Sequence, residues 1–104
     1  MECNEKDWKL FRQKLPEWQR KHMAKLVEEY KKLLNSDMIA SEKFWDLDKR
    51  IRSDKKSIGV IVRDVRRSRF LQIMLALLND GVITIDDLAD FSDEMRSTIR
   101  SIIN

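Results

Sequence analysis

Few residues in this chain are equipped to do chemistry. One histidine, His22, and one cysteine, Cys3, are its only strong soft-metal ligands or activated nucleophile partners. A catalytic base needs a nucleophile and an orienting acid within reach. His22 instead stands four residues after Trp18 on an aromatic stripe, where a partly buried or interfacial histidine is expected. Cys3 precedes the first predicted helix, and one Cys with one His falls short of the three or four ligands of a zinc site. Asp86, Asp87, Asp90, Asp93 and Glu94 lack the EF-hand spacing and its glycine, and read as acids placed at helix N-termini. Neither Gly59 nor Gly81 opens a phosphate loop, since no Gly-rich run precedes a Lys-Ser or Lys-Thr. No catalytic residue, metal or cofactor is therefore expected, and the chain is predicted not to be an enzyme.

Recognition chemistry is better represented. Arg63, Arg66, Arg67 and Arg69 fall within seven residues, and arginine pairs with phosphates or carboxylates through two bonds at once. Trp45 shares a helical stripe with Lys49, Arg52 and Lys56. Its ring could stack on a cation, cover the edge of the core, or offer a platform to a nucleic-acid base. The formal net charge of +3 is unevenly spread. Residues 43–69 carry ten Lys/Arg against four Asp/Glu, whereas residues 70–104 carry two against six. Three ways of neutralising the arginines stay open: the acidic C-terminal segment, a partner protein, or nucleic acid. Against nucleic acid stand the modest net charge and the lack of a recognised reading motif.

The elements that position these residues are helical. A 104-residue chain is one domain with enough sequence for a single core, and two glycines with one proline are too few for the turns of an all-β fold. The stretch Phe70–Leu78 is apolar on nearly every helical face and predicts the central helix of a bundle, covered all round. Asn4 caps a first helix whose stripe runs Trp8, Phe11, Leu15, Trp18, His22 and on to about Asn35. Pro16 interrupts it, so either two helices or one kinked helix is expected, the unbroken stripe favouring a nearly collinear pair. Ser41 is the expected cap of a second helix fading near residues 54–56, with Phe44, Leu47 and Ile51 on one face. Ile58, Ile61, Val62 and Val65 keep a helical spacing, which predicts one helix from Gly59 to about Asn79, roughly 30 Å long, carrying the arginines on its wet half. Gly81 stops it, Thr84 with Asp87 forms a capping-box variant before a short helix to about Asp90, and Ser92 caps a last helix with Met95, Ile99, Ile102 and Ile103 on its apolar face.

The segments LPEWQRKHM, SEKFWDLDKRI and LLNDGVITIDDLADFSDEM resemble those of small uncharacterised bacterial all-helical proteins, some of them loosely labelled multidrug transporters. The resemblance implies a bacterial helical protein and brings no function with it. The transporter label conflicts with the residues, because the longest uninterrupted apolar run, Ile73–Leu78, is far short of the ~20 residues of a membrane span.

These readings combine into an all-α, single-domain bundle of four to five helices, residues 1–104. Its expected function is that of a protein-interaction or regulatory module docking through Trp45, Lys49, Arg52, Lys56, Arg63, Arg66, Arg67 and Arg69. A protein partner is expected, with a second copy of the chain among the candidates and no membrane. The alternative is a helical nucleic-acid-binding accessory protein using the basic 43–69 region. The polar start of the chain and its single cysteine predict the cytoplasm.

Overall fold

The computed structural model describes residues 4–103, so the expectation for Cys3 lies outside the described residues. The fold is all-α. Four helices are present among the described residues, α1 Glu5–Leu34, α2 Ala40–Asp54, α3 Phe70–Asn79 and α4 Asp93–Ile103, with single 3₁₀ turns at Arg67–Arg69 and Ile85–Leu88. No strand occurs among the described residues, and no helix among them is long and apolar enough to cross a membrane.

Helix α1 begins where expected. The Asn4 side chain accepts a hydrogen bond from the Asp7 N–H at 2.7 Å. Pro16 lies inside this one continuous helix. Its cost is contained because Leu15 and Trp18, on either side, are both held in the core. At ~1.5 Å per residue the helix is about 45 Å long, and the whole molecule measures 52 × 25 × 22 Å. Its radius of gyration of 16.6 Å exceeds the ~13 Å of a compact domain this size. The excess arises because only about the first half of α1, as far as Trp18, belongs to the core.

That core forms a base. Phe11, Leu15 and Trp18 of α1 meet Phe70, Ile73, Met74 and Leu77 of α3, with Met95 and Ile99 of α4. Aromatic rings fill its centre: Phe11 lies 4.8 Å from Phe70, and Trp18 lies 6.2 Å from Phe91. The base is also closed by one buried carboxylate. Asp7, 3% exposed, accepts from the Ser92 N–H at 2.9 Å, the Ser92 hydroxyl at 2.6 Å and the Asn4 amide at 3.1 Å. The Ser92 hydroxyl in turn accepts from the Met95 N–H at the start of α4. One side chain thus joins the N-terminal caps of two helices.

The other end of the molecule is an arm. The last turns of α1 and the whole of α2 form an antiparallel helical hairpin, turned by residues 35–39. Lys43 Nζ donates to the carbonyl of Leu34 at 2.8 Å, satisfying one end of α1. Arg50 pairs with Glu29 at 3.5 Å and stands over the Tyr30 ring, and the Tyr30 hydroxyl donates to Asp54. No residue of α2 is buried.

Several expectations are corrected. Helix α2 starts at Ala40 with Ile39 as its cap, not Ser41, because the Lys43 N–H already bonds the Ile39 carbonyl. The apolar face of α2 is not fully covered, since Phe44 is 65% exposed. The predicted helix from Gly59 to Asn79 is broken: the chain between Ser57 and Arg66 is irregular, and α3 begins only at Phe70. Two backbone constraints explain the break. Asp64 adopts a left-handed φ of 59°, which no helix accommodates. Gly59 is pressed against His22, whose ring atoms would lie 2.2–2.8 Å from any added Cβ. The helical spacing of apolar residues had another cause, since Ile58 and Val62 pack on the core while Ile61 and Val65 stay largely outside. Helix α3 is covered on one side only. Leu71, Leu75 and Leu78 are half-buried, and Ile102 and Ile103 at the end of α4 are exposed by about half.

The C-terminal turns follow the sequence reading. Gly81 has φ 73° and ends α3 in a Schellman motif, with Val82 N–H on the Leu77 carbonyl at 2.9 Å and Gly81 N–H on that of Leu78 at 3.1 Å. The Thr84–Asp87 capping box is present, although it opens a 3₁₀ turn rather than a helix to Asp90.

Candidate functional site

The expected recognition residues divide into two groups. On α2, successive turns place Trp45, Lys49 and Arg52 along one outward stripe that Lys56 continues. Trp45 is 64% exposed, and its ring meets Phe44 edge to face at 5.1 Å. An exposed indole leaves a large apolar surface in water, beside the cations best suited to stack on it. Arg52 is held along the stripe by Asp48 at 3.1 Å, and Lys49 borders a groove shared with Leu33, Asp46, Arg50 and Ser53. Helical periodicity sets this group, because α2 is regular throughout.

The arginines form the second group and do not share a helix face. Arg63 lies in the irregular segment, Arg66 just before the 3₁₀ turn, and Arg67 and Arg69 within it. Asp64 organises them. Its carboxylate accepts two bonds from Arg66, through Nε and Nη2, and a third from Arg69 at 3.4 Å. The Arg66 hydrogen bond holds the Asp64 carboxyl below its ordinary range, and the same contact raises the Arg66 guanidinium. The left-handed backbone at Asp64 turns the chain so that this side chain faces the residues that follow it. Arg69 also donates to the Arg63 carbonyl at 3.4 Å. Lys56, Arg63 and Arg69 then border one small cleft of about 210 Å³ floored by Ile58, Ile61 and Ile73. Arg66 and Arg69 use none of the three neutralising arrangements left open by the sequence, because a neighbour in the chain, Asp64, serves them both. Three of the six acids of the C-terminal segment are engaged elsewhere: Asp87 in its capping box, Asp90 with Lys14 at 3.3 Å and Asp93 with Arg96.

Sequence reasoning missed a third feature at the junction of arm and base. His22, Lys25, Glu29, Arg50, Asp54 and Asp80 border a cleft of about 370 Å³. Burial, with the Asp54 hydrogen bond and charge adding to it, pushes the Tyr30 phenol up to about 12. The phenol therefore remains a neutral donor to Asp54 throughout the physiological range. Ser57 borders the same cleft, but its hydroxyl donates to the Asp54 carbonyl at 2.8 Å and not to His22. The available signal was Gly59, one of only two glycines, placed where the chain must approach another segment closely. Among the described residues no group of three His, Cys, Asp or Glu side chains is arranged to hold a metal ion.

No protein-family model matches the chain, and no curated protein or solved structure matches it either.

Proposed function

We propose that the chain is a non-enzymatic protein-interaction or regulatory module that docks through the Trp45–Lys49–Arg52–Lys56 stripe of α2 and the arginine segment following it. The observation that carries this reading is the exposed Trp45 on a helix with no buried residue of its own. Tryptophan and arginine are the residue types that concentrate binding energy at protein interfaces. A stripe alternating one large ring with three cations suits an acidic partner surface bearing an apolar pocket. The test is a pull-down from the native host with wild-type protein and a Trp45→Ala/Arg52→Glu variant. A specific protein retained by the wild type and lost from the variant, at unchanged melting temperature, is the expected result. Equal recovery by both forms removes the stripe from the interaction.

The second reading is a helical nucleic-acid-binding accessory protein using the basic 43–69 region. It is favoured by Lys56, Arg63 and Arg69 bordering one cleft. Binding to mixed-sequence DNA and RNA at two salt concentrations discriminates, since each phosphate contact adds about one to the salt slope. Salt-sensitive binding lost on Arg63→Glu would favour this reading over the first.

A further inference from the structure

We propose that the cleft bordered by Lys56, Arg63 and Arg69 is a binding site for a small phosphomonoester with a compact apolar body. The inference shares these cations with the readings above but rests on neither, since its ligand is neither a protein nor a nucleic acid. Three separate segments bring the cations together. Lys56 stands just past the end of α2, Arg63 in the irregular segment and Arg69 in the 3₁₀ turn before α3. No acidic side chain among the described residues borders the cleft. The Lys56 and Arg63 side chains have no ion pair or hydrogen bond among the described residues. Arg69 commits one nitrogen, Nη1, to Asp64 and to the Arg63 carbonyl, both at 3.4 Å, which leaves Nε and Nη2 uncommitted. Gathering like charges around one concavity is unfavourable. The turn that gathers them is also strained, since Asp64 has the one positive φ of a non-glycine residue among the described residues. Backbone of that kind concentrates at active sites and ligand clamps. Asp64 does not neutralise the cleft, because its carboxylate is engaged chiefly by two bonds from Arg66.

The rim selects the ligand's head. A carboxylate has two oxygens and one charge, which a single guanidinium satisfies, as Arg66 does for Asp64. A phosphomonoester carries close to two charges at neutral pH and three acceptor oxygens, one for each of the three cations. The phosphodiester of a nucleic acid offers only two such oxygens and one charge. Gln72 adds an amide N–H donor at the same rim. The floor selects the body. Ile58, Ile61 and Ile73 line it, and Ile61 is 43% exposed. Inorganic phosphate would leave that surface wet, whereas an apolar group on the ester covers it. The cleft of about 210 Å³ equals about seven waters at ~30 Å³ each, which limits the body to roughly one ring.

The test is calorimetric titration of the purified full chain with phenyl phosphate, benzoate and inorganic phosphate at low ionic strength. Phenyl phosphate should bind once per chain, about tenfold or more tightly than either of the others. Lys56→Gln and Arg63→Gln should each weaken it about tenfold, because each removes a charge-assisted bond. Both variants should melt as the wild type does, since neither side chain has a partner within the chain. Arg20→Gln removes a charge from the exposed side of α1 and should bind phenyl phosphate normally. Ile61→Asn should bring phenyl phosphate down towards inorganic phosphate and leave the affinity for inorganic phosphate unchanged. The proposal is overturned if phenyl phosphate shows no saturable binding, or if benzoate or inorganic phosphate binds as tightly. It is overturned equally by binding that the Lys56 and Arg63 variants leave intact, or that Arg20→Gln weakens as much as they do. None of these results decides the two readings above, which the pull-down and the salt slope test separately.

Discussion

The base and the arm share one helix, α1, and differ in what its stripe meets. From Phe11 to Trp18 the stripe faces α3 and α4, and its side chains are almost wholly enclosed. From Met23 to Leu34 it faces one amphipathic helix, and although Leu26 is enclosed, Val27 and Leu34 remain about half-exposed. Two layers enclosing a core stabilise a fold, whereas two helices side by side have no interior. The arm is held instead by Tyr30 on Asp54, Arg50 on Glu29 and Lys43 on the end of α1. Polar contacts of this kind each contribute modestly when exposed. The same sequence periodicity therefore marks a finished surface in one region and an unfinished one in the other.

The largest expected effect tests that contrast directly. Leu77→Ala in the base should cost about 2–5 kcal/mol, because it empties volume from a fully enclosed site. Phe44→Ala in the arm should stay within about 0.5 kcal/mol in dilute solution. Urea unfolding of both variants at low concentration measures the two. Similar losses would mean that the arm has an interior after all.

A smaller loss is expected at the polar closure of the base. Asp7→Ala leaves the Ser92 N–H and hydroxyl without their acceptor, at a cost of about 1–3 kcal/mol. The double variant with Ser92→Ala should lose less than the sum of the single changes, since both remove one contact. Full additivity in a double-mutant cycle would show that Asp7 stabilises α1 locally and does not tie the two caps together.

The smallest effect belongs to the connection between the regions. Asp64 is held below its ordinary carboxylate range by Arg66, so the unfolded chain binds its proton more readily than the folded one. Its contribution is then present above the ordinary carboxylate range and is lost as pH falls through the lowered folded value. Asp64→Asn keeps a residue that tolerates the left-handed backbone and removes the charge. Its melting temperature should lie slightly below that of the wild type near neutrality, and the two should converge on acidification or at high salt. A difference that persists in acid would point to packing in place of charge.

The fold class was legible because long stripes with regular spacing have one interpretation. The first helix, the apolar Phe70–Leu78 stretch, the stop at Gly81 and the Thr84–Asp87 box all follow from local rules that tertiary contacts did not override. The segment from Ser57 to Arg66 was not legible for the opposite reason. Its apolar spacing imitated a helix, while its conformation was decided by His22 against Gly59 and by one left-handed aspartate. The Asp7–Ser92 tie was equally hidden, since an acid in a first helical turn reads as a dipole partner. For the site, the α2 stripe could be read from spacing, but the grouping of Lys56, Arg63 and Arg69 depends on a loop path that no periodicity records.

The tie between Asp7 and Ser92 joins residues 85 positions apart in the chain. Closing so long a loop is slow compared with folding a hairpin whose helices are joined by a short turn. On a ribosome adding about 5–20 residues per second, the arm is complete several seconds before Ser92 is added. During that interval α1 already carries Phe11, Leu15 and Trp18 without the cover that α4 completes. The nascent chain thus presents its future core to the cell first, and its aggregation risk should fall steeply once α4 emerges.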